Sequence, residues 1–114
     1  MSYIIRCYFR PGSAQTRLKI RPAHIRYVIS RLPEIVCAGA LCGEDQQPQG
    51  LFLAINCAER AQAGEFIADE PYCRAGLFER IEVDRFNQFV PHANARILHE
   101  ELERALETAA SATS

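Results

Sequence analysis

Nothing in the chain approaches the roughly twenty consecutive apolar residues that span a bilayer, and Arg6 interrupts MSYIIRCYFR before any signal-like core develops. A cytoplasmic protein with no membrane partner is expected. Basic excess is missing too: a formal net charge of -1 and a pI near 6.3 supply no general field for nucleic acid, so that partner is set aside. The five cysteines, Cys7, Cys37, Cys42, Cys57 and Cys73, are odd in number and contain no CxxC pair, which argues against a disulfide framework and against a zinc site. They read as reduced, small, buried hydrophobes. No histidine pair stands at i, i+4, and GxSxG, P-loop and GxGxxG patterns are all missing. Any chemistry is therefore expected to use neither metal nor cofactor.

What is present suits one modest core: 114 residues, 48% hydrophobic and 24% charged. Tyr3, Ile5, Cys7 and Phe9 alternate with Ile4, Arg6 and Tyr8, a strand pattern closed by PGS at 11–13. Ile25, Val28, Ile29 and Leu32 then repeat at helical spacing, and Pro22 suits a first helical turn, so a helix over 21–32 is expected with that stripe inward. Strands follow at 35–42 and 51–57, the second apolar on both faces and hence central. A helix over 58–70, a short turn or helical piece beginning at Pro71, and a strand over 80–89 complete the order β-α-β-β-α-β. That order is the ferredoxin-like α+β fold, a four-stranded antiparallel sheet with its helices on one face.

Pro91 marks a boundary between a domain at 1–90 and a helical extension at 91–114. Within the extension, a helix over 94–110 carries Leu98, Leu102, Ala105, Leu106 and Ala109 on one stripe, expected to dock on the core or on a second subunit, with the tail SATS fraying. The sheet face left without helices is too apolar for water, which predicts a homodimer with pockets near the sheet's ends and leaves a further pairing of dimers open.

Three segments carry a resemblance: R-L-x-I-R-P-A-H over 17–24, A-G at 38–39, and D-E-P-Y-x-x-A-G-L-F over 69–78. In these the chain resembles the YCII-related (YciI-like) family over residues 3–89. The resemblance implies a ferredoxin-like fold of the dimeric α/β-barrel superfamily and a histidine with a carboxylate facing a cleft. The family histidine matches His24. An aspartate commonly precedes Pro-Tyr in the family; here Glu70 holds that place with Asp69 before it, and either could partner His24. The family's first strand often ends in a polar, aspartate-containing sequence, where this chain has Phe9, Arg10 and Pro11.

A histidine at the border of a helix's apolar stripe can turn one ring nitrogen inward and offer the other to a cleft, as a general acid or base must. A carboxylate behind it, Glu70 or Asp69, would fix its tautomer. Arg17 and Arg21 could bind the oxygens of a small anionic substrate, and Tyr72 could supply a phenolic donor or an apolar wall. Gly39 and Gly76 are expected at turns or close backbone approaches. The leading expectation is a cofactor-free acid–base enzyme of isomerase, lyase or hydrolase type. The alternative is a non-catalytic ligand-binding or protein-interaction domain on the same barrel; haem- or quinone-handling oxygenation is a third reading.

Overall fold

The computed structural model describes residues 1–112 of the chain. Alternation at the N-terminus yields β1 (Ser2–Phe9), with Tyr3, Ile5 and Cys7 buried on one face. It is joined by β2 (Ile35–Cys42), β3 (Pro48–Asn56) and β4 (Phe78–Phe86) in an antiparallel sheet of order β2-β3-β1-β4. Ile5 stands opposite Leu53 on one side and Val83 on the other, and opposed residues share a face. Tyr3, Ile5, Cys7, Leu53 and Ile55 thus form one apolar layer, covered by Ala63, Phe66 and Ile67 of α2 (Arg60–Ala68) and by Tyr72 of the short α3 (Pro71–Arg74). The fold is the ferredoxin-like β-α-β-β-α-β arrangement, with α3 inserted before β4. No helix among the described residues is long and apolar enough to cross a membrane.

The first helix departs from expectation in two ways. It runs as α1 (Ala14–Ser30), so Pro22 lies inside it rather than at its start. Ala14, Gln15, Arg17, Leu18 and Lys19 are all good helix formers and carry the helix back to Ser13. The proline is tolerated because it sits on the solvent side, where the Leu18 carbonyl left without a donor is open to water. Polarity is also inverted: Ile25, Ile29 and Leu32 are 37%, 60% and 55% exposed, while Arg17, Ile20, His24, Tyr27 and Arg31 turn inward. What α1 meets explains this, since it leans on aromatic and polar groups of α2 and α3. The Tyr27 hydroxyl donates to the Phe66 carbonyl at 2.6 Å, and the Arg31 guanidinium lies 4.7 Å from the Phe66 ring centroid.

The last helix does not dock on the core of its own chain. It forms as α4 (Ile97–Ala112), but none of its residues is buried, and Leu98, Leu102 and Leu106 are each more than half exposed. The chain measures 58 × 30 × 23 Å in consequence. The helix continues through Ser111 and Ala112 instead of fraying at Ser111; Thr113 and Ser114 of the SATS tail lie outside the described residues.

The bare sheet face is apolar over only half its width. Ile4 of β1 and Phe52 of β3, both half-buried, line that half, whereas beside β4 the Arg6 guanidinium donates to Asp84 at 2.8 Å and Arg80 covers the Tyr8 ring at 4.2 Å. Two glycines answer to backbone geometry. Gly76 ends α3 at φ 73°, in the left-handed region, and a Cβ on Gly50 would stand 2.0 Å from the Cys7 carbonyl oxygen. Gly39 approaches nothing; a Cβ there would enter open space.

All five cysteines are free, but they are not uniformly buried: Cys37 and Cys42 are exposed on the edge strand β2. Burial pushes the Cys7 thiol up to about 12, with the charge of Glu70 adding to it, and burial also raises Cys73. The thiolate is the reactive form. Iodoacetamide at mildly alkaline pH is therefore expected to alkylate Cys37 and Cys42 first and to spare Cys7 until the chain unfolds. Peptide mass spectrometry reads the order, and labelling of native Cys7 as fast as Cys37 would contradict this packing.

Candidate active site

Glu70 is where the site begins. α2 ends at Ala68 with Asp69 as its cap, and Glu70, in extended conformation before Pro71, opens α3. A helix over 58–70 would place it at a C-terminus; it caps a helix N-terminus instead, where backbone N–H groups favour a carboxylate. Its Oε2 accepts from the Cys73 N–H at 3.1 Å, and its Oε1 lies 2.5 Å from His24 Nδ1. The carboxylate has no exposed surface, and His24 retains 14%. With Glu70 ionised the carboxylate can only accept, an arrangement that puts a proton on Nδ1 and leaves Nε2 to face the cleft.

The other candidates sort clearly. Asp69 is exposed and makes no contact with His24; its charge is felt at Tyr27 and Arg31. The Tyr72 ring stacks on the His24 ring at 4.4 Å and 21°, and meets Phe9 edge-on at 5.5 Å. Arg17 in turn covers the Phe9 ring at 4.4 Å. Its Nε is buried with no hydrogen-bond partner among the described residues, as is Ser13 Oγ one turn earlier. Burial pushes the Tyr72 phenol up; Arg21 and Arg17 oppose that shift and Glu70 adds to it. Tyr72 is thus held as a neutral phenol at physiological pH.

These groups stand in the wall of a cleft of about 490 Å³ between α1 and the β2–β3 side of the sheet. α2 and α3 cover β1 and β4 but stop short of β2, and α1 rests on α3 rather than on the strands beneath it. The floor is low because Ala38 and Ala40 face the gap opposite Leu53 and Leu51. Arg17, Arg21 and His24 border the same space, which is of small-molecule size. The sequence places Phe9 only on a sheet face; its position in the site depends on the α1–β1 approach, which no local spacing encodes. Among the described residues, no three histidine, cysteine, aspartate or glutamate side chains converge as a metal site would require.

The YCII-related domain family matches residues 1–87. The chain belongs to that family. Among solved structures, this YCII-related chain is similar to 5-chloro-2-hydroxyhydroquinone dehydrochlorinase (TftG) from Burkholderia phenoliruptrix AC1100 in complex with 2,5-dihydroxybenzoquinone. The identity is 28% and the TM-score 0.72, over 77% of this chain and 95% of that one. Protein Atu4242 from Agrobacterium tumefaciens is 23% identical with a TM-score of 0.46, over 80% of this chain and 98% of that one. Rv0793 from Mycobacterium tuberculosis is 16% identical with a TM-score of 0.45, over 76% and 94%. Among curated proteins none matches the chain. The YCII-related match stops before α4 begins.

Proposed function

We propose that the cleft is the active site of a small acid–base enzyme in which His24, oriented by Glu70, moves a proton on a small oxygenated organic anion. The contact that carries this reading is His24 Nδ1 to Glu70 Oε1 at 2.5 Å, a buried carboxylate behind a ring that borders an open cleft. Nε2 takes a proton from the substrate, and Glu70 stabilises the imidazolium that results. The electron pair released moves onto a substrate oxygen, which Arg17 and Arg21 hold; the unpaired Nε of Arg17 is a donor in want of such an acceptor. Tyr72, kept protonated, can donate to the same oxygen. Return of the proton elsewhere gives isomerisation, and loss of a leaving group from the neighbouring carbon gives elimination with a new double bond.

Similarity to the dehydrochlorinase, whose named substrate is a chlorinated hydroxyhydroquinone, supports elimination on a hydroxylated quinone-like ring. The apolar half of the bare sheet face supports self-association. The test is to offer chlorinated and unchlorinated hydroxyhydroquinones and hydroxyquinones to the purified protein, following absorbance and chloride release. Turnover is expected, with Arg17→Met lowering kcat by about 10²-fold, because it removes a donor from the oxygen on which negative charge develops. Binding of such a ring by calorimetry with no turnover would sink the catalytic reading in favour of a ligand-binding domain.

A further inference from the structure

α4 is amphipathic and has nothing on its apolar side: Leu98 and Leu102 stand with Leu106 on one stripe, all more than half exposed. α1 has the same unmet need. Leu18, Ile25 and Ile29 share its outer face with Pro22, and Leu18, Pro22 and Ile25 line a shallow groove there together with Arg21 and Arg26. At about 100° per residue, Lys19 and Arg26 fall on one shoulder of the α1 stripe and Arg21 on the other, while Glu101 and Glu103 fall on the two shoulders of the α4 stripe. The two helices carry charge of opposite sign. Between 14 and 30 there are three arginines, Arg17, Arg21 and Arg26, with Lys19 and no carboxylate, whereas α4 has Glu100, Glu101, Glu103 and Glu107 against Arg104 alone. The helices are 17 and 16 residues long, so each offers a seam of about 25 Å.

We infer that α4 of one copy docks along the outer apolar face of α1 in a second copy, glutamates against arginines and lysine. Each chain supplies one helix and one groove, so two copies close reciprocally about a twofold axis. Apolar seams with oppositely charged flanks are how paired helices select their partner. The seam adjoins the catalytic cleft, which Leu18, Arg21 and Ile25 also border, but the positions tested, Ile29 and Leu102, lie outside the cleft, so failure of the inference and failure of the catalytic reading are distinguishable.

Sedimentation of the full chain tests it, with Leu102→Asp and Ile29→Asp as variants and circular dichroism to establish that each folds, both sites being exposed in a single copy. The parent is expected to self-associate. Each variant alone should weaken association by about thirtyfold or more, as loss of a central apolar anchor does. An equimolar mixture of the two should associate where neither does alone, because one intact α4 then meets one intact α1. A monomeric parent would overturn the inference, and so would parental association in Leu102→Asp. Failure of the mixture to recover would mean that α4 folds onto its own copy, and would overturn it equally.

Discussion

His24→Ala is expected to lower kcat by about 10²–10⁴-fold on whichever hydroxylated substrate the chain turns over, the usual worth of a positioned general base. The same substitution leaves the Glu70 carboxylate buried without its ring partner, so stability should fall as well, by about 1–3 kcal/mol. Glu70→Gln separates the two effects. Its amide oxygen can still accept from the Cys73 N–H, and its NH₂ then faces His24 Nδ1, which must become the acceptor. The proton moves to Nε2, and the lone pair aimed at the substrate disappears while the packing stays. A kcat loss of similar size with a near-parental melting temperature is the expected pair of readings. Turnover within about tenfold of the parent in Glu70→Gln would mean that the carboxylate serves only as a helix cap.

Gly50→Ala should have the largest effect on the fold. Gly50 lies buried in β3 opposite Tyr8, and a Cβ added there would stand 2.0 Å from the Cys7 carbonyl oxygen and 3.3 Å from Tyr8 Cα. Both neighbours are backbone of the central strand, so neither can swing aside as a side chain would. The β1–β3 pair must separate locally, opening the layer that Ile5 and Leu53 close. A cost of more than about 4 kcal/mol is expected, a large share of the 5–15 kcal/mol of an ordinary domain. Chemical denaturation measures it; a midpoint shift worth under about 1 kcal/mol would show that the strands have slack there. Gly64→Ala, where a Cβ meets nothing within 4 Å, is the control.

Much of this architecture was legible in the sequence because it rests on period and punctuation. Alternation marked β1, a run apolar on both faces marked β3 as central, and Pro71 separated α2 from α3. The histidine and its carboxylate came from the R-P-A-H and D-E-P-Y segments, and Glu70 rather than Asp69 meets the ring because the chain turns extended at that residue before Pro71. Where the reading failed, a local rule met a tertiary circumstance. Proline suits a first turn but is also tolerated on a solvent-facing side, so Pro22 misplaced the start of α1. An apolar stripe points to a partner without saying that the partner belongs to the same chain, and those of α1 and α4 stay largely exposed within the single chain. Cys37 and Cys42 are exposed because β2 is the sheet's edge, a position that depends on strand order and not on residue type.

That edge position separates two properties that an enzyme usually has to change together. Glu70 and Tyr72 are fixed among core helices, so the groups proposed to act on the substrate cannot drift without cost to the fold. Ala38 and Ala40, which set the depth of the cleft, sit on a strand whose outer side is unpaired and whose residues carry little of the core. Enlarging those two side chains would change which molecules fit while leaving untouched the groups proposed to move the proton. A chain built this way could reshape its cleft by drift at the rim of its sheet without disturbing the packing that fixes Glu70.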